Sequence, residues 1–186
     1  GFELNATWQV NRWVELYGSY SGDHTRFTRP FDDGTGHFGT FITDAPVATG
    51  AVALYLKHLG PWSAGVDFRY LGNYPLSSGP CVAAAAVRDF PKVATSCANA
   101  PTAPGQVNGR GFGEMNVDLH YALSSGGGGG LGIYNLFNVR ADAAEFWYVD
   151  RLRSEISAYP DGRADIHAHP LEPCMLRLTV TKTFAD

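Results

Sequence analysis

Segment after segment of this chain alternates apolar and polar side chains, the period that sends each set to one face of a β-strand. Phe2, Leu4, Ala6, Trp8 and Val10 alternate with Glu3, Asn5, Thr7 and Gln9. Met115, Val117, Leu119, Tyr121 and Leu123 alternate with Glu114, Asn116, Asp118 and His120. Leu176, Leu178, Val180 and Phe184 alternate with Arg177, Thr179, Thr181 and Thr183. A strand crossing an outer-membrane-type bilayer needs this pattern over about 9–11 residues, greasy toward lipid and hydrated on the other side. No core elsewhere in the sequence is expected to absorb that apolar set, so the class of fold is decided by these strands.

Composition narrows the class further. Twenty-two Gly, 11 Pro and 24 aromatic residues suit an all-β chain with many turns. A formal net charge of −4 offers no footprint for nucleic acid. The longest apolar run, residues 81–87, is far below the roughly 18 residues of a helical span. Of three cysteines, Cys81 and Cys97 share one Pro/Ala/Gly-rich stretch, and Cys174 stands apart. A loop disulfide between the first two is expected in an oxidising compartment, and no CxxC pair suggests zinc.

The pattern predicts an antiparallel up-and-down meander of about seven strands: residues 2–10, 13–21, 47–57, 62–73, 112–123, 131–149 with a bulge, and 175–184. Connections alternate short (11–12, 58–61, 124–130) and long (23–44, 75–110, 153–173). Membrane barrels show this asymmetry, short turns on the periplasmic side and long loops outside. Aromatics gather at both ends, Trp8, Trp13, Trp62, Tyr121 and Phe184 near the short turns and Tyr20, Tyr70, Phe112 and Trp147 near the long ones. Two such girdles are expected at headgroup depth, with Lys182 snorkelling at the lower one. Bacterial single-chain barrels close on an even number of strands. An odd count beginning mid-pattern, with no export signal ahead of it, predicts the end of a larger barrel.

At the C-terminal end the residues resemble a known family. Leu131–Arg140 (LGIYNLFNVR), Ala144–Leu152 (AEFWYVDRL), Asp165–Pro170 (DIHAHP), Glu172-Pro173 and the last strand are similar to the closing stretch of TonB-dependent outer-membrane receptors. Residues 1–9 (GFELNATWQ) resemble an earlier strand of the same barrels. The chain departs from that pattern at Cys174, where Arg is usual, and in the two residues that follow Phe184. The resemblance implies that residues 1–186 are the C-terminal portion of a 22-stranded, plugged barrel, with plug and preceding strands absent. It implies an active importer of a siderophore, cobalamin or saccharide in the outer membrane of a Gram-negative bacterium. Partners so implied are outer-membrane lipid, a TonB-type energy-coupling protein acting through the missing N-terminal region, the barrel-assembly machinery reading Phe184, and a small-molecule ligand.

Several motifs resemble chemistry and read better as structure. Asp165, His167 and His169 copy an HxH metal motif, but too little chain follows to supply the other ligands. They are placed instead, with Arg151, in a loop motif near the barrel mouth, as candidate ligand contacts within 25–43, 77–110 and 151–169. Gly126–Gly130 lacks the Lys-Ser/Thr of a phosphate loop and reads as a slack turn. Asp67, Arg69, Glu114, Asn116, Asp118, His120 and Arg177 are expected on the lumen wall, with cross-strand charge pairs among them. No nucleophile, cofactor or metal site is apparent, so an enzyme is not expected. Two other readings remain, a self-standing small barrel acting as pore or adhesin, and a soluble β-sandwich binding module whose apolar faces bury each other.

Overall fold

A computed structural model describes residues 1–33, 35–81, 105–124, 126–155, 157–158, 160, 162–182 and 184. Regular structure among them is all strand apart from one 3-10 turn, Arg153–Glu155. Seven strands form one antiparallel sheet: β1 (Phe2–Gln9), β2 (Val14–Gly22), β5 (Ala48–Leu59), β6 (Trp62–Leu71), β9 (Phe112–Leu123), β10 (Gly127–Tyr134) and β13 (Met175–Lys182), adjacent in that order. The remaining strands lie in the three long connections. These are β3 (Arg26–Asp32) with β4 (Phe38–Phe41), β7 (Tyr74–Pro75) with β8 (Asn108–Gly109), and β11 (Asp142–Asp150) with β12 (Arg163–Pro170).

Register follows directly from the alternation. One ladder row reads Trp8, Leu16, Leu54, Val66, Val117, Ile133, Leu176 across all seven strands. The next row, on the opposite face, reads Gln9, Glu15, Tyr55, Gly65, Asp118, Gly132, Arg177. A slip of one residue would exchange the faces completely, so the hydrophobic pattern pins the pairing. No described element covers the apolar face: Leu176, Leu178 and Val180 are 69%, 83% and 90% exposed. β1 and β13 end the sheet without pairing to each other. Among the described residues, the apolar face lacks the mutual burial that a β-sandwich needs.

Short turns join alternate strands at one end. At the first, the Asn11 side-chain oxygen accepts the N–H groups of Trp13 (2.8 Å) and Val14 (3.0 Å), and Arg12 lies over the Trp13 ring. At the second, His58 and Gly60 both take positive φ. Trp62 and Tyr121 pair directly near this end, ring centroids 4.6 Å apart.

Three expectations are corrected. The glycine run is not a slack turn: Gly127–Gly130 are ladder residues of β10, hydrogen-bonded to β9 and β13, and of the run itself only Gly126 lies in the turn. Ladder bonds use backbone groups alone, so absent side chains do not end a strand flanked on both sides. Nor does one bulged strand run through 131–149. β10 stops at Tyr134 because Asn135 and Asn138 adopt left-handed φ (48° and 50°), and β11 belongs to a separate hairpin. Finally, the described parts of the long connections include paired strands, and they hold a small core of their own: Tyr74, Leu76, Val107, Trp147 and Ala164. Trp147 therefore leaves the upper girdle for that core, and Phe112 takes the polar-face register beside Leu71. Tyr20 and Tyr70 stay exposed in the apolar register.

Candidate functional site

The polar face and the loop cluster above it carry the side chains of interest. Antiparallel pairing sets Arg69 opposite Glu114 and Asp67 opposite Asn116. Arg69 Nη2 approaches Glu114 Oε1 at 2.6 Å, and Asn116 Nδ2 donates to Asp67 Oδ2 at 3.0 Å. Asn116 is almost fully buried, and its own oxygen accepts the Asn135 N–H at 2.9 Å. Two strands over, the Arg177 guanidinium lies 4.9 Å from the Tyr134 ring. A pocket of about 480 Å³ opens among Arg69, Glu114, Asn116, Tyr134 and Arg177 at the long-loop end of this face. Asp118 and His120 fall elsewhere, lining a separate hollow of about 250 Å³ with Tyr55, Lys57 and Asp67. Lys57 there pairs with Glu15 at 2.8 Å. Charges of both signs interleave along the face, a surface that water and polar solutes wet.

The other predicted residues lie above the sheet. Asp165, His167 and His169 do share one register, but in strand β12 and not in a loop. Tyr148 stacks on His167 at 3.9 Å, and Phe146 meets His169 edge to face. Asp150 Oδ2 stands 3.7 Å from His167 Nε2, and these two with Arg163 and Asp165 rim a hollow of about 250 Å³. Arg151 turns away to donate to the Pro160 carbonyl. No three His, Cys, Asp or Glu side chains among the described residues converge on a metal-sized site. Phe184 is exposed. Cys81 is buried and disulfide-bonded, Cys174 is free and exposed, and Cys97 lies outside the described residues.

Sequence reasoning missed the knot that ties the three connections together. Residues 77–81 lie along β4: Phe41 N–H donates to Ser78 O (2.9 Å), Phe38 N–H to Pro80 O (3.2 Å), and His37 bridges to Cys81. The approach is so close that a Cβ on Gly39 would stand 2.3 Å from the Ser78 carbonyl oxygen, and one on Gly79 2.4 Å from that of Phe38. Asp33 accepts Thr35 Oγ1–H at 2.5 Å, and its second oxygen accepts Ser78 N–H at 3.0 Å. Thr35 Oγ1 in turn accepts the indole N–H of Trp147 at 3.0 Å. His37, wholly buried, packs edge-on to that indole with its Nδ1 3.2 Å from Thr35 Oγ1. Burial pushes the His37 imidazole below its usual range, against the Asp33 carboxylate and the Gly105 backbone, which act the other way. Tyr74 joins the second and third connections, its phenol oxygen accepting Glu145 N–H at 2.9 Å. Burial raises that phenol. The run Asp33 to His37, with its Asp, Thr and Gly spacing, carried the local part of this signal, but its partners lie some 45 and 112 residues away.

No protein-family profile matches the sequence, and no curated protein matches it. Among solved structures, the chain superposes on the open form of the ferric-catecholate import receptor Fiu from E. coli K12 with a TM-score of 0.56 at 16% identity, over 97% of this chain. A closed form of the same receptor aligns at 0.49 with 14% identity, over 98% of this chain and 27% of that one. This chain thus spans 20% of the length of the open-form receptor. At such identity the likeness is one of fold: an antiparallel all-β meander matching a segment of a receptor barrel.

Proposed function

We propose that residues 1–186 form the C-terminal stretch of wall of an outer-membrane active importer. The observation that supports this best is the apolar face, continuous over seven strands and uncovered, backed by a face of interleaved charges. A water-filled interior and a lipid exterior are the two solvents that such a sheet requires. Its two open edges carry unpaired backbone groups, each costing several kcal/mol in hydrocarbon, which favours a sheet continued by further strands into a closed wall. In this reading Asp67, Arg69, Glu114, Asn116, Asp118, His120 and Arg177 line the interior. The knotted connections, with Arg151, Asp165, His167 and His169, crown the outer mouth and meet the ligand. The ligand class is a scarce solute such as a ferric siderophore, with cobalamin and saccharides as alternatives, and a TonB-type protein supplies the energy. Phe184 is the signal read by the assembly machinery.

Site-directed spin labelling in native membranes tests the reading, using single cysteines in a Cys174→Ser background. Labels at Leu119 and Leu178 should collide with oxygen dissolved in lipid, and labels at Asp118 and Arg177 with a water-soluble nickel chelate. Equal nickel access on both faces, or Leu178 shielded from both reagents, refutes it. Radio-iron uptake from ferric siderophores by cells carrying the full-length gene, with and without their energy-coupling protein, reads transport itself.

A further inference from the structure

The three long connections share one polar knot, and a hydrogen-bond inventory fixes the state of the histidine inside it. Thr35 has a single hydroxyl proton, and Asp33 Oδ1 takes it at 2.5 Å. The Thr35 oxygen therefore only accepts from its other two neighbours, the Trp147 indole N–H at 3.0 Å and His37 Nδ1 at 3.2 Å. His37 must then carry its proton on Nδ1, which leaves Nε2 as the bare nitrogen. That Nε2 is buried and, among the described residues, has no hydrogen-bond partner of good geometry, although the Gly105 backbone acts on the ring in favour of a proton. The ring itself is 0% exposed, closed in by Trp147 and by the backbone bridge to Cys81. A second proton puts a charge on a wholly buried ring, where burial outweighs the Asp33 carboxylate and the Gly105 backbone that favour it.

The geometry points to an acid-labile clasp: protonation of His37 at Nε2 loosens the shared packing of the three connections, so that they open together. Among the described residues, the titratable side chains hydrogen-bonded between these connections are Asp33 on its own hairpin, Tyr74 on the second connection and Glu145 beside Trp147 on the third. Asp33 is the one whose charge acts on His37, and it favours the imidazolium; burial outweighs it. Tyr74 and Glu145 are engaged with each other's connection, the phenol with Glu145 N–H and the Glu145 carboxylate with Arg110 N–H at 2.6 Å. The sign follows. Once the clasp is open, His37 recovers an ordinary value near 6.5 and binds a proton more readily than it does when closed. Closed packing is thus fully favoured above about pH 6.5 and loses ground as pH falls toward the lowered value of the closed state. Between pH 7.5 and 5.5 the opening constant rises by up to about tenfold. The clasp stands on the loop geometry and is independent of which solute the barrel carries.

Amide exchange of the membrane-embedded protein, corrected for intrinsic rates, reads the effect in peptides spanning 31–41, 74–81 and 142–150. Lowering the pH from 7.5 to 5.5 should speed all three together by up to about tenfold, with β9 and β13 unchanged as internal references. His37→Gln, which cannot titrate, should flatten the response. Should His37→Gln already be open at pH 7.5, NMR of ring-labelled His37 in the wild-type protein decides, since its own titration midpoint must coincide with that of the three peptides. Three peptides that respond with different midpoints, a response that survives intact in a closed His37→Gln protein, or a His37 titration that leaves exchange unchanged would each overturn the clasp.

Discussion

Asn135 ends β10 and fastens the third connection to the sheet, which makes it a quantitative test of how the wall is finished. Its side chain makes three hydrogen bonds: Nδ2 donates to Val139 O at 3.0 Å and to Glu172 O at 2.9 Å, and Oδ1 accepts Val139 N–H at 2.8 Å. The residue is 2% exposed, so water does not replace those partners. At about 1 kcal/mol net for each bond, Asn135→Ala loses about 3 kcal/mol. The left-handed φ of 48° adds about 1 kcal/mol for a residue with a Cβ and no local bonds. Asn135→Gly loses the bonds yet keeps the backbone comfortable, so Gly should be less damaging than Ala by about that last amount. Asn135→Asp keeps the bond from Val139 N–H but turns an acceptor toward two carbonyl oxygens, and should cost at least as much as Ala. Urea unfolding in lipid vesicles measures the series, and exchange at the Val139 amide localises it. An aspartate variant close to wild type, or a glycine variant worse than alanine, refutes the assignment of these bonds.

Two further substitutions probe the loop cluster. Gly39→Ala inserts a methyl into the 2.3 Å gap against Ser78 O, and should lose about 1–3 kcal/mol of loop packing, seen as faster proteolysis near residues 77–81 with the sheet intact. Tyr74→Phe strips the acceptor from Glu145 N–H at a site 6% exposed, and should cost about 1–3 kcal/mol in the same cluster, seen as faster exchange at the Glu145 amide.

The sheet was legible in the sequence because its signal is local. Each strand announces its two faces every second residue, and an apolar face set against a polar one leaves one register for neighbours such as Val66 and Val117. The charge pairing of Arg69 with Glu114 followed from that register. Local signals failed where a residue type has two uses. Glycine is the usual turn former, yet Gly127–Gly130 are held in β10 by neighbours on both sides that local propensity does not see. Asn135 and Asn138, inside the segment read as one bulged strand, mark the strand end instead, because both take left-handed φ. The knot around His37 was out of reach for another reason. Its stability comes from contacts among three separated connections, and nothing near Thr35 in the sequence points to Trp147.

Strand β10 has one more consequence. From Gly127 to Gly130 it presents bare peptide on both faces of the sheet, between Tyr121 and Leu123 on one side and Val180 and Lys182 on the other. Along that line the sheet is a single ribbon of main chain, held by hydrogen bonds on both sides with no side chains of its own to stiffen it. The His120 imidazole rests against it, its Nδ1 2.9 Å from where a Cβ at Gly130 would sit. Any branched residue placed there would lift that ring off the sheet, so the relief of the polar face at this height is set by an absence of atoms.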